Sequence, residues 1–238
     1  MPQPQARLRE LQISELGQAS VRTTKIERPI LCLVVDRQFS RLPIEEAISE
    51  AVRGGVDWIQ LRDRQLEGKD WLAWASRIAQ ISRGIRPEVD ILVNRRLDVA
   101  WAINAAGVHL GFDAVDPGTA RRLLGDRIRL GSSIHDAAEA PTALTQDLDY
   151  IQLAPIFNPL SKKPERPALG LEPLRLASET EIPVIAQGGI TPECCQAVLQ
   201  SGANGIAVTG NVLDSLKPGE ATAALRRELD SAWDRTPH

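Results

Sequence analysis

After Arg28 the chain alternates between two hydrophobic patterns. Short runs rich in aliphatic and β-branched residues recur at Ile30–Val35, Val56–Leu61, Asp90–Val93, Gly107–Leu110, Arg129–Ser132, Tyr150–Leu153, Pro183–Ala186 and Gly205–Val208. Such runs read as strands buried on both faces. Between them lie segments of helical period. Trp71, Trp74, Ala75, Ile78 and Ala79 fall on one stripe at spacings of three and four, as do Ile44, Ala47, Ile48 and Val52. Thr191-Pro192-Glu193 has the form of an N-cap followed by proline in the first turn, and Pro117 opens a helix in the same way.

Strands separated by helices predict a parallel sheet, because parallel neighbours need long crossovers. Eight such units in roughly 200 residues predict an α/β fold of one kind, the closed (β/α)8 TIM barrel, over a doubly wound sheet. The junctions agree: Gly55-Val56-Asp57, Ala106-Gly107-Val108 and Ala203-Asn204-Gly205 each place small residues where a helix ends and a strand begins. The expected organisation is a polar N-terminal arm over residues 1–28, frayed or docked, and a barrel over 29–238.

Composition narrows the function classes. The 238 residues are 43% hydrophobic and 25% charged, with a net charge of −3. That balance leaves no electrostatic footprint for nucleic acid, and no basic run suits a membrane surface. The three cysteines include the adjacent pair Cys194-Cys195 and form neither a disulfide framework nor a zinc spacing. No apolar stretch approaches the ~20 residues that span a bilayer, and the N-terminus lacks the apolar core of a secretion signal. A cytoplasmic location is expected. A homodimer is left open, with Trp71, Trp74 and Trp101 available either to an interface or to helix packing.

In a barrel of this type the loops after the strands carry the chemistry. Arg62, Asp63 and Arg64 follow the second strand, as an anion site or a rim ion-pair cluster. Asn94 and Arg95 follow the third. His109 lies within the fourth strand and reads first as a hydrogen-bonded interior residue. Ser132, Ser133 and His135 end the fifth, where an imidazole can take and return a proton. The long segment 154–170 carries Ser161, Lys162 and Lys163, as a binding lid or a solvated charge run. Gly188 and Gly189 follow the seventh strand, and Thr209, Gly210 and Asn211 end the eighth. Paired glycine ends there suit a phosphate. The expected ligand is a small phosphorylated molecule.

These residues resemble the thiamine phosphate synthase/TenI family over almost all of Leu31–Val212. The resemblance rests on Val35-Asp36-Arg37, Gly54 to Arg62, Asn94 with Arg96 to Ala100, and Gly107 to Gly111. It continues through Gly131 to His135, Pro155-Ile156-Phe157, Gly170-Leu171-Glu172, Ile182 to Ala186, Gly188 to Glu193 and Gly202 to Val208. It implies a TIM barrel that acts on a thiazole phosphate bound by Gly188, Gly189, Gly210 and Asn211. Two activities are implied. The synthases join an aminopyrimidine diphosphate to a thiazole phosphate, Mg2+ holding the leaving pyrophosphate while the thiazole nitrogen intercepts a cationic pyrimidine. The TenI-type members isomerise a thiazole phosphate carboxylate without a metal.

This chain departs from the synthase pattern where the metal carboxylates stand. One position holds Arg95 and the other Ala114, leaving Asp113 as the only candidate ligand if the chain is a synthase. The departures favour a TenI-like tautomerase that uses no cofactor. His135 would be its acid/base, and Arg62, Arg64 and Lys162 would neutralise substrate charge, with Asn94, Ser133 and Ser161 as further ligand contacts. A Mg2+-dependent synthase is the alternative, and a non-catalytic sensor of thiamine intermediates a further one.

Overall fold

The computed structural model describes residues 26–111, 113–158 and 166–235. Most of the expected N-terminal arm, together with Ser161, Lys162 and Lys163, lies outside the described residues. Eight parallel strands close into one ring in chain order: β1 (Ile30–Asp36), β2 (Trp58–Arg62), β3 (Asp90–Asn94), β4 (Gly107–Leu110), β5 (Arg129–Ile134), β6 (Tyr150–Leu153), β7 (Val184–Gln187) and β8 (Gly205–Val208). β1 pairs with both β2 and β8, which completes the (β/α)8 barrel. The ring of helices comprises α1 (Ile44–Arg53), α2 (Gly68–Ile85), α3 (Leu97–Ala102), α4 (Pro117–Leu124), α5 (Ala140–Thr145), α6 (Leu171–Ala177) and α7 (Cys195–Gln200). After β8 come a single turn, α8 (Gly210–Leu213), and the long α9 (Pro218–Trp233), which packs against α1 and α7 and closes the outer layer.

Expected and observed strands agree to within two residues, and the differences have local causes. β2 starts at Trp58 because Gly55 takes a left-handed turn (φ 102°) and Val56 is still bonded back to Ala51. β7 starts at Val184 because Pro183 has no N–H to give the ladder, although its carbonyl accepts from Ile151 at 2.9 Å. Asp116 caps α4 ahead of Pro117 by accepting from Thr119 N–H at 2.9 Å. The Trp71 stripe is core: Trp71 and Ile78 are buried and Trp74, partly buried, packs against the same cluster, so helix packing accounts for both tryptophans. Trp101 on α3 is 73% exposed.

Alternation sorts each strand. Leu31, Leu33 and Val35 face the helices, as do Ile59 and Leu61, Ile91 and Val93, Ile151 and Leu153, and Ile206 and Val208. Their neighbours turn into the barrel, where Cys32, Val34, Trp58, Leu92, Tyr150, Ile185 and Ala207 form a second apolar cluster. Trp58 and Tyr150 lie ring against ring at 5.1 Å. Gly131 is obligatory beside them, since a Cβ there would lie 2.0 Å from the Tyr150 ring.

One carboxylate ties the strand N-termini to the last helix. Asp57 Oδ2 accepts from Leu31 N–H at 2.8 Å and from Arg226 Nη1 at 2.8 Å, while Oδ1 takes Arg28 and, at 3.4 Å, Arg86. Arg226 also donates to Pro29 O at 2.9 Å, so β1, β2 and α9 share one buried network. Removing one partner of such a cluster strands the others' charge. Asp57→Ala is therefore expected to lower unfolding stability in denaturant by about 3–5 kcal/mol. A loss below about 1 kcal/mol would rank the cluster with ordinary exposed ion pairs.

Candidate active site

At the strand C-termini the inward positions change from apolar to polar. Gln60 and Arg62 of β2, Asn94 of β3, His109 of β4, Ser133 of β5, Gln152 of β6 and Gln187 of β7 all reach a cavity of about 460 Å3 at the mouth. That volume suits a small organic phosphate. Its floor is the apolar cluster around Trp58 and Tyr150, which closes the barrel beneath it.

Directly above the floor, side-chain amides are linked in series. Gln152 Nε2 donates to Gln60 Oε1 at 2.7 Å, and Gln60 Nε2 donates to Asn94 Oδ1 at 3.2 Å. Because the Asn94 oxygen is engaged, its NH2 group is the part left to meet a ligand. The series holds three amides in fixed orientation at the centre of the site.

His109 belongs to a second chain. Its Nδ1 lies 3.1 Å from Tyr150 Oη and its Nε2 2.8 Å from Ser133 Oγ. Burial, assisted by the positive charge of Arg62, pushes the imidazole pKa down to about 3, so the ring is neutral. Burial also drives the Tyr150 phenol well above its ordinary pKa, so it keeps its proton. A buried phenol that must donate, facing Nδ1, assigns the proton of His109 to Nε2. Nε2–H then donates to Ser133 Oγ and leaves the serine hydroxyl hydrogen to point into the cavity. The expectation of a hydrogen-bonded interior histidine holds, yet His109 also lines the site.

His135 follows β5 at the rim. Its backbone N–H donates to Glu139 Oε1 at 2.9 Å, and its Nδ1 lies 2.7 Å from the Ala154 carbonyl, which requires a proton on Nδ1. That bond orients the ring and leaves Nε2 as its acceptor.

The rim is cationic. Among the described residues, Arg62, Arg64, Arg95 and Arg166 line the cavity against two carboxylates, Asp36 and Asp113. Arg62 Nη1 bonds Asp36 Oδ2 at 2.7 Å, and Arg95 Nη2 pairs with Asp113 Oδ2 at 2.9 Å. Arg64 pairs with no carboxylate among the described residues. Asp63, between Arg62 and Arg64, is structural: its Oδ1 accepts from the N–H groups of Gln65 and Leu66, both at 2.7 Å.

Gly188, Gly189, Thr209, Gly210 and Asn211 complete the wall on the β7–β8 side. Gly188 and Gly189 have φ of 102° and 63°. Their freedom from Cβ is also demanded from behind: a Cβ on Gly189 would lie 2.3 Å from Asn158 O, and one on Gly188 2.8 Å from Pro155 Cβ. Residues 155–158 press directly on this turn, with Phe157 N–H bonded to Gly188 O at 3.0 Å.

The structure therefore brings Arg62, Arg64, Asn94, Ser133, His135, Gly188, Gly189, Gly210 and Asn211 to one cavity, while Ser161 and Lys162 lie outside the described residues. Gln152, Gln187, Asp36 and Arg166 were not singled out as site residues from sequence. Strict alternation would have found Gln152, between outward-facing Ile151 and Leu153; Arg166 carries no local signal. The donor set does not fit the magnesium ion that the resemblance implies for a synthase. Asp113 and Asp36 are each neutralised by an arginine, Ala114 packs on the core, and among the described residues no three His, Cys, Asp or Glu side chains cluster for a metal.

Fold and site together define a (β/α)8 barrel with an arginine-rich mouth at the strand C-termini. Residues 31–212 match the family described as thiamine monophosphate synthase, and the chain belongs to that thiamine monophosphate synthase/TenI family of thiamine biosynthesis enzymes. It is 33% identical over 207 residues to a thiamine-phosphate synthase of Roseiflexus sp. (strain RS-1), covering 86% of this chain and 87% of that one. It is 38% identical over 205 residues to a thiamine-phosphate synthase of Chlorobium phaeovibrioides (strain DSM 265 / 1930), covering 85% and 95%. The solved thiamine phosphate pyrophosphorylase from Pyrococcus furiosus superposes with a TM-score of 0.77 at 28% identity, over 87% of this chain and 98% of that one. Among the described residues no helix is long and apolar enough to cross a membrane.

The buried, neutral His109 predicts an acid limit. Its pKa falls from 6.5 in the unfolded chain to about 3 when folded, so its contribution is complete above pH 6.5 and is lost as pH drops toward 3. Across that window wild-type stability is expected to fall more steeply than that of His109→Gln, by up to ~1.4 kcal/mol per pH unit. Parallel denaturation curves for the two proteins from pH 6.5 to 4 would show that His109 protonates in the native state.

Proposed function

We propose that this chain is a thiamine phosphate synthase, joining an aminopyrimidine diphosphate to a thiazole phosphate with release of pyrophosphate. The observation that carries the proposal is the pairing of a glycine-rich wall with an arginine-rich wall across one cavity. Gly188, Gly189, Gly210 and Asn211 form the wall after β7 and β8, and Arg62, Arg64 and Arg95 form the other after β2 and β3. Two separate anionic groups match a reaction of two phosphorylated substrates. The tautomerase expectation also supplies two anionic groups, but its single carboxylate carries less charge than the three arginines of the second wall, and it gains no support from relatives named thiamine-phosphate synthase.

The thiazole phosphate takes the glycine wall, where side chains are absent and backbone can approach its oxygens. The diphosphate takes the arginine wall, through planar, permanently charged donors. Between them lie Gln60, Asn94, Gln152 and the Ser133 hydroxyl, a fixed set of donors and acceptors suited to a flat aminopyrimidine. When the bond from the exocyclic carbon to the diphosphate oxygen breaks, its electron pair leaves on pyrophosphate. The thiazole nitrogen lone pair then makes the new carbon–nitrogen bond. No proton is transferred, so His135 has no acid/base task in this step and orients the rim through Ala154.

Incubating the purified protein with both substrates is expected to yield thiamine phosphate and pyrophosphate in equal amounts. Arg64→Ala is expected to cost about 10- to 100-fold in kcat/KM, the worth of one charge-assisted contact. His135→Ala is expected to stay within about tenfold of wild type, below the usual contribution of a general base. Absence of thiamine phosphate, together with His135-dependent isomerisation of the thiazole carboxylate, would return the site to the tautomerase reading.

A further inference from the structure

We infer that the Arg95 guanidinium is a built-in cation for the pyrophosphate group, occupying the role for which the resemblance implies a bound magnesium ion. The inference rests on the synthase reading and goes beyond it by giving one arginine of that wall the part of the metal ion.

Four observations fix Arg95 in that place. Its backbone is left-handed (φ 67°), a conformation uncommon for a residue with a side chain, and it is clamped by its N–H donating to His109 O at 2.9 Å. The side chain then runs over Gly111, where a Cβ would sit 3.6 Å from both Arg95 Cγ and Cδ. The guanidinium ends 2.9 Å from Asp113 Oδ2. Both residues line the cavity wall with Arg62 and Arg64.

The pair is weakly committed. The Arg95 and Asp113 side chains are 39% and 61% exposed, and a single carboxylate in that setting is readily exchanged for a ligand with more charge and more acceptor oxygens. Pyrophosphate is such a ligand. A guanidinium keeps its charge at any working pH and presents its donors in a plane that matches two phosphate oxygens. Asp113 then serves as the resting counterion. In this chain it is not a metal ligand, because a hard cation beside Arg95 would meet a positive charge where it needs oxygen. As the carbon–oxygen bond of the diphosphate ester breaks and its electron pair moves onto pyrophosphate, Arg95 donates hydrogen bonds to the charge that develops. It gives up no proton, and the atoms and electrons of the transfer balance without another reactant.

The test is calorimetric titration of the full chain with inorganic pyrophosphate in EDTA. Wild type is expected to bind without added metal. Arg95→Ala is expected to weaken binding tenfold or more, and Arg95→Lys, which restores the charge without the fork, to recover part of the loss. Asp113→Asn separates the two roles of that carboxylate: freeing Arg95 tightens binding severalfold, whereas removal of a metal ligand would not. Pyrophosphate binding by wild type only after Mg2+ is added would overturn the inference. So would wild-type affinity in Arg95→Ala, or unchanged or weaker binding in Asp113→Asn. Turnover of the two substrates, measured alongside in EDTA and in Mg2+, tests the synthase reading separately. No thiamine phosphate in either buffer defeats that reading, and metal-free pyrophosphate binding through Arg95 would still stand.

Discussion

Closing eight parallel strands into a ring forces every second residue into an interior that must be filled. Here the filling is two aromatic rings, Trp58 and Tyr150, with aliphatic neighbours, and room for the second ring exists because Gly131 has no side chain. The site depends on this constraint. A solid floor keeps the cavity at the strand ends shallow and separate from solvent at the far end of the barrel. The same phenol that plugs the barrel holds the proton arrangement of His109, so packing and polar chemistry meet in one residue. The Asp57 cluster seals the opposite end, tying β1 and β2 to α9.

Above the floor the molecule keeps excess positive charge at a point where charge is costly unless a partner arrives. The arginines tolerate this because their stems pack while their heads stay partly in water. Among the described residues, Arg62 and Arg95 are the arginines with carboxylate partners lining the cavity, and those aspartates are held by arginine rather than left to gather a cation. Such a mouth attracts anions before any specific contact forms. The amides of Gln152, Gln60 and Asn94 contribute differently: they carry no charge, and their fixed orientation gives shape and direction to what the arginines attract.

Much of this was legible in the sequence because the physics is local. Strand runs such as Ile30–Val35 and Gly205–Val208 are buried on both faces, so they read as continuous apolar segments between helices of clear period. The cavity wall was legible wherever a strand ends in glycine or arginine, as at Gly188-Gly189 and Arg62. The reason for those glycines was only half visible, since the pressure of Asn158 and Phe157 on Gly189 comes from a segment distant in sequence. Gln152 was legible in principle through alternation but hidden by its apolar neighbours. The link from Tyr150 through His109 to Ser133 joins three strands and no sequence spacing encodes it.

The loss of metal carboxylates at Arg95 and Ala114 pointed from sequence toward a reaction without a charged leaving group. In the folded protein the same residues support another conclusion. On the proposed reading, the position where the resemblance implies a metal ligand keeps a cation in the Arg95 guanidinium, and the charge belongs to the chain itself. An isomerase handling one phosphate and one carboxylate would have little use for Arg62, Arg64 and Arg95 on the wall facing its phosphate site. A transferase that must carry away pyrophosphate needs that excess where it stands. On the proposed reading, the arginine excess of the cavity wall, more than the identity of any one carboxylate, favours the transferase over the isomerase.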